Sequence, residues 1–131
     1  GDDVGATALG RYVQFIQPIR AQMRVLYVIN PFRPLSGTEE DICELFERVT
    51  QRARLRPDAL VNNANLQRQT TAKDLINAQP LVEKVGKRLS LPVEMVAGYE
   101  RFRADLPASM QQIFFPLEPL MLPEWLEDDL A

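Results

Sequence analysis

The run Val25-Leu26-Tyr27-Val28-Ile29 is apolar without interruption. It lacks the apolar/polar alternation of a strand with one wet face, so it requires a strand covered on both sides. Two shorter runs share this character: Ala59-Leu60-Val61, and Val93, Met95, Val96 and Ala97 ahead of Gly98. Helical patterns separate the three, and strands that alternate with covering helices join most economically in parallel. The runs begin at equal spacing, a period that some solenoid repeats also have. Matching offsets share no residues beyond the strands themselves, so the spacing reflects ordinary strand-helix units. With a last strand in QIFFPLEPL, interrupted by Pro116, the expectation is one α/β domain over residues 1–131. Its sheet is mainly parallel, of about four strands, with helices on both faces.

The helices are marked by their caps. Thr38 can cap a helix whose first turn holds Glu39, Glu40 and Asp41 and whose buried face carries Ile42, Leu45, Phe46 and Val49. Arg52, Arg54 and Arg56 suit its carboxyl end, and Pro57 cannot extend it. Thr71, with Asp74 three residues on, caps a second helical segment. Pro80 lies inside it, which predicts a short helix near 72–78 and a longer one starting at Pro80. Leu9, Tyr12, Val13, Ile16 and Ile19 predict a helix ahead of the first strand. The stretch YERFRADLP suits a short helix, and residues 124–131 form an acidic tail anchored by Trp125.

Composition excludes several classes of function. The net charge of −3, with basic residues dispersed, gives no electrostatic reason for nucleic-acid binding. No apolar run approaches the ~20 residues of a membrane span. The single cysteine, Cys43, cannot close an internal disulfide, and residues 1–10 show no basic-then-apolar leader pattern, so a reducing cytoplasm is expected. The absence of histidine removes Ser-His and Cys-His nucleophile pairs and any His-bearing zinc site. Cys43, inside a predicted helix, is read as a small core residue. Glu39, Glu40 and Asp41 could ligate magnesium, but the helix dipole already accounts for three acids in a first turn. No residue is assigned as catalytic or metal-binding. Neither Gly-x-x-x-x-Gly-Lys-Ser/Thr nor Gly-x-Gly-x-x-Gly occurs, and Gly86-Lys87 falls in mid-helix.

Four segments in order, GDDVGATALGRY, LYVINPFRPLSGT, ALVNNANLQRQTTAKDL and PLVEKVGKRLSLPVEMVAG, resemble the carboxy-terminal half of P-loop ATPases of the MinD/ParA/CobQ class. The resemblance covers most of the chain and implies half of a P-loop NTPase-like sheet. By it, Gly1 and Asp2 match the tail of an Asp-x-Gly-Gly segment that senses the γ-phosphate. Asn62 or Asn63 matches a strand-end asparagine that binds adenine. ATP and magnesium are implied for a complete protein. The phosphate loop, its lysine and the magnesium-binding hydroxyl are missing, so ATP hydrolysis by this chain alone is not expected.

The residues carry an independent argument for the amide cluster. In open parallel sheets ligands bind beyond the carboxyl ends of the strands, and an amide matches the donor and acceptor edge of adenine. Asn62, Asn63 and Asn65 are equally suited to turning the chain. Arg33, after the first strand, either reaches a phosphate or a partner or is a solvated loop arginine. Gly98 either admits a base or makes a turn. The expected function is an adenine-nucleotide-binding half-domain; the alternative is a self-sufficient α/β interaction module. In the class resembled, the strand matching Val25–Ile29 adjoins the phosphate-loop strand. Without that neighbour it becomes an uncharged edge, which implies pairing with a second copy or cover by residues 1–22.

Overall fold

The computed structural model describes residues 3–34 and 36–118. Four strands, β1 (Leu26–Ile29), β2 (Ala59–Asn62), β3 (Val93–Tyr99) and β4 (Phe114–Leu117), form one sheet in the order β1-β2-β3-β4, every pair parallel. The α/β class and the four-stranded parallel sheet agree with the sequence. Gly1, Asp2 and the acidic tail with Trp125 lie outside the described residues.

The helices are α1 (Asp3–Gly10), α2 (Val13–Ile16), α3 (Glu39–Ala53), α4 (Ala72–Leu89) and α5 (Ala108–Gln111), with 3-10 turns at Gln17–Gln22, Gln67–Gln69 and Glu100–Asp105. Both predicted caps form. Thr38 Oγ1 accepts from Asp41 N at 3.1 Å, and Thr71 and Asp74 close a reciprocal capping box. Helix α3 ends at Arg54, which takes the left-handed conformation with φ 54°. The predicted break at Pro80 does not occur: α4 is continuous through it. Leu75, Ala78, Val82 and Val85 are all buried on its inner face, and this packing outweighs the ~3 kcal/mol that an interior proline costs a helix.

The single helix predicted before β1 is divided into α1, α2 and a 3-10 turn, and Leu9, Tyr12 and Ile19 are exposed. Gly10 closes α1 where it meets α3. A Cβ there would stand 2.3 Å from the Arg52 carbonyl oxygen, so only glycine allows this backbone approach. Residues 17–25 are tied to the foot of the sheet, where Arg20 donates to Asp58 Oδ1 at 3.0 Å and to the Arg56 carbonyl, and Val25 N donates to Asp58 Oδ2.

The strand order places the helices. A parallel sheet in simple sequential order, joined by right-handed crossovers, carries its connecting helices on one face. Tyr27, Ile29, Leu60 and Asn62 face α3 and α4, and Val96 and Gly98 face α4. One core cluster joins Ile29, Ile42, Cys43, Phe46, Leu60, Val82 and Val85; the other joins Leu75, Val96, Phe102, Leu106 and Met110. The register turns Leu26, Val28, Ala59, Val61, Met95, Ala97 and Phe115 to the opposite face, which neither cluster includes. On that face too Ala59, Val61 and Ala97 are buried, at 0%, 3% and 6% exposure, as strands covered on both sides require. Pro116 sits in edge strand β4, where a missing N–H is tolerated.

Candidate functional site

A cleft of about 980 Å³ opens at the carboxyl ends of β1 and β2. Its walls are the loop after β1 (Asn30 to Ser36), the flank of α3 (Ile42, Leu45, Arg48) and the loop after β2 (Asn63 to Gln67). The β1–β2 register sets these loops side by side, with Ile29 opposite Asn62 and Asn63 N donating to the Ile29 carbonyl at 2.9 Å.

The four asparagines here play different parts. Asn62 is 0% exposed, with both amide protons and the amide oxygen hydrogen-bonded. Its Nδ2 donates to the Leu75 carbonyl at 3.1 Å and to Gln79 Oε1 at 2.9 Å, while its Oδ1 accepts from Ala64 N at 3.1 Å. It pins α4 to the sheet and cannot present an amide to a base, which corrects one of the two sequence assignments. Asn65 builds the turn: its Oδ1 accepts from Gln67 N, and Thr70 Oγ1 lies 3.0 Å away. Gln67 is held at φ 58°. Asn30 clamps the two loops together, accepting from Asn65 N at 3.1 Å and donating to the Asn65 carbonyl at 3.0 Å. The side chain of Asn63, half-buried in the cleft wall, makes no hydrogen bond among the described residues. A sequence reading of Asn62 and Asn63 as interchangeable therefore resolves into a structural residue and an available one.

Arg33 does line the cleft, and Arg48, which the sequence did not single out, lines it from α3. Among the described residues neither side chain has a hydrogen bond or ion pair and no carboxylate contributes to the cleft walls. The other ion pairs lie elsewhere: Arg88 stands 3.9 Å from Glu39 and from Glu40 at the start of α3. Burial pushes the Tyr27 phenol up to about 12 against the opposing pull of Arg48, so it remains a neutral donor at neutral pH. Phe32, 44% exposed, presents an aromatic ring at the mouth. The site thus offers cationic groups, an amide with donor and acceptor, and a ring.

Gly98 takes no part. It lies within β3 under α4, where a Cβ would approach Leu75 Cδ1 to 2.8 Å and Phe102 Cδ2 to 3.0 Å; it is a packing glycine, neither a turn nor a ligand approach. Cys43 is buried in the core, and burial pushes its thiol up. Among the described residues no three metal-capable side chains cluster, and no helix is long and apolar enough to cross a membrane. Comparison with protein-family models, curated proteins and solved structures gives no match. Arg48 was missed because the fold alone brings α3 against the end of β1; its only sequence signal is helical spacing beside Leu45.

Proposed function

We propose that the chain is the base-recognising half of an adenine-nucleotide site, whose phosphate-loop half lies outside these residues. One observation carries this reading: Asn63, alone among the asparagines of the strand-end cluster, commits neither end of its amide to a described residue, and it faces a cleft containing two arginines without carboxylate partners among the described residues. Its amide matches the N6 and N1 positions of adenine. Phe32 offers a stacking surface, and Arg33 and Arg48 suit phosphate oxygens. The location, beyond the carboxyl ends of parallel strands, is where such sheets take ligands.

In a complete protein, ATP would bring its base to Asn63 while magnesium and the transferred phosphate would be held by the missing half. Gly1 and Asp2 would sense that phosphate. On its own the chain binds nucleotide weakly and does not hydrolyse it, because backbone N–H groups of a phosphate loop and its lysine supply much of nucleotide affinity. A cytoplasmic setting and no role in nucleic-acid binding belong to the same reading.

A second reading, an interaction module without a nucleotide, is favoured by one feature. Strand β1 is a sheet edge: the carbonyls of Val25 and Ile29 accept from Asp58 N and Asn63 N, so Leu26 and Val28 turn their backbone groups outward. Of the segment before β1, α1 packs on α3 and residues 17–22 lie at the sheet's foot. An edge without charge pairs readily. It takes either the strand of a phosphate-loop half or, in the isolated chain, a second copy of β1.

The deciding experiment is an NMR titration of the ¹⁵N-labelled chain with ATP, repeated with Asn63→Ala. ATP should shift resonances of Phe32, Arg33 and Asn63, and the substitution should weaken binding by about 1 to 3 kcal/mol. Binding that is unchanged by Asn63→Ala, or no binding at millimolar ATP, would favour the interaction module.

A further inference from the structure

Strand β1 ends the sheet on one side, and its bonds to β2 fix which of its groups stay open. Val25 and Ile29 turn their carbonyls to β2, so the odd-numbered residues serve that ladder. Leu26 and Val28 therefore present both N–H and C=O outward. The strand contains no charge and no proline, and its register with β2 has no bulge, so the devices that ordinarily protect an edge are missing from it. The two arginines just before it are spent on carboxylates, Arg20 on Asp58 at 3.0 Å and Arg24 on Glu94. They leave little charge to repel a copy of the same edge.

Apolar surface collects on the same stretch of chain. Of the nine exposed large hydrophobic side chains among the described residues, seven fall in residues 4–32. Phe15, 66% exposed and paired with Tyr12 at 6.5 Å between ring centroids, and Ile19 precede β1; Val28, 48% exposed, lies on it and Phe32 follows it.

We infer, on the interaction-module reading, that the edge takes a second copy of β1, antiparallel across a two-fold axis at Tyr27. In a parallel ladder one residue bonds the two that flank its neighbour, which no two-fold axis can relate; an antiparallel pair is symmetric. With Tyr27 on the axis, Leu26 faces Val28 of the second copy and Val28 faces its Leu26, each pair exchanging N–H and C=O. The outward groups of both strands are then all used. The antiparallel sense also sets the chain before β1 of one copy beside the loop after β1 of the other, which brings Phe15 and Ile19 to the end where Phe32 of the second copy stands. At ~200 Å² per aromatic side chain, Tyr12, Phe15 and Phe32 leave ~340 Å² open. That is over a third of the ~800 Å² one partner gives a standard interface, before Ile19, Val28 and the strand backbone are counted.

Amide hydrogen exchange reads the pairing residue by residue in the full chain. Tyr27 and Ile29 donate to β2 and are protected in any state, whereas Leu26 and Val28 gain protection only from a further strand. The Leu26 and Val28 amides should exchange at least about tenfold more slowly at high than at low protein concentration, in a particle of dimer mass by light scattering. Val28→Lys puts a charge on the edge at a half-exposed position and should give a folded monomer in which those two amides lose their protection while Tyr27 and Ile29 keep theirs. A monomeric parent in which Leu26 and Val28 exchange freely would overturn the inference while leaving the edge open to the strand of another protein, so the interaction-module reading would stand. Protection of both amides in a monomer would show the edge closed by the chain itself and would remove the inference and that reading together. A dimer with both amides unprotected would place the contact elsewhere and overturn the inference as well. Should Val28→Lys fail to fold, the concentration dependence in the parent decides.

Discussion

Replacing Asn62 by alanine separates a structural from a ligand-binding role for the strand-end amides. The substitution removes three hydrogen bonds of 2.9 to 3.1 Å at a site with no solvent access. The Leu75 carbonyl keeps an intrahelical donor, and Gln79 retains a link to Glu83. The Ala64 N–H, on a residue only 2% exposed, is left without an acceptor. A buried donor so stranded costs about 1 to 3 kcal/mol, and each remaining lost bond adds about 0.5 to 1.5. The total is about 2 to 6 kcal/mol, a large share of the ~5 to 15 that holds a domain together. Urea denaturation followed by circular dichroism should show a lower midpoint at unchanged slope, and the parallel substitution Asn63→Ala should leave the midpoint within about 0.5 kcal/mol of the parent. An Asn62→Ala chain as stable as the parent, or one that loses nucleotide affinity without losing stability, would refute the assignment of Asn62 to the α4 anchor.

Gly86→Ala tests two opposed effects: alanine favours a helix interior by about 1 kcal/mol, but a Cβ at Gly86 would stand 2.7 Å from the Leu91 carbonyl oxygen. The clash is with backbone and should win, lowering stability by about 1 to 3 kcal/mol in thermal melts; a stabilised variant would show that the loop after α4 yields. Thr71→Ala removes the hydroxyl half of the α4 capping box and should cost about 1 kcal/mol in the same assay. The Asp58 carboxyl is held below its ordinary value, chiefly by the hydrogen bond from Arg20 and then by that from Val25 N. Its contribution is therefore present above the ordinary aspartate range and is lost as pH falls through the lowered folded-state value. Asp58→Asn should flatten the acid limb of the stability profile; an unchanged limb would locate acid sensitivity elsewhere. Purified chain should show no ATP turnover, checked by phosphate release against a mock preparation.

The sequence made the strands and caps legible because their causes are local. Unbroken apolar runs predicted β1, β2 and β3, and Thr38, Thr71 and Asp74 cap as their spacing required. Pro80 misled because its local cost is outweighed by tertiary burial on both sides of it. Apolar runs show that a face is buried, while strand order and crossover hand determine where the connecting helices lie. At the cleft, residue type pointed to the asparagine cluster but not to the member with a free amide. That depended on α4 approaching Asn62 with the Leu75 carbonyl and the Gln79 side chain, a contact between residues 13 and 17 positions apart.

The amide cluster therefore does two things through one network. Asn30, Asn62 and Thr70 satisfy buried or half-buried backbone groups of the loops, Asn65 an exposed one, and Asn62 also donates to the Leu75 carbonyl of α4. Because those bonds cross between the loop after β1, the loop after β2 and α4, they fix the two cleft walls relative to the sheet. A side chain standing on such a frame loses little freedom when it binds, and affinity rises by what does not have to be ordered. Asn63 occupies that position: its backbone N–H is tied to Ile29 at 2.9 Å while its amide faces the cleft. Loosening the frame should then be felt at the ligand without touching it. Asn30→Ala removes the clamp on Asn65, leaves Asn63, Arg33 and Arg48 in place, and should weaken ATP binding by about 1 kcal/mol while broadening the resonances of residues 63–67. Isothermal or NMR titration of Asn30→Ala beside Asn63→Ala checks this. Equal affinity in the Asn30→Ala chain, with sharp loop resonances, would mean that the loop holds its shape without the clamp and that preorganisation lies in the Asn65 turn alone.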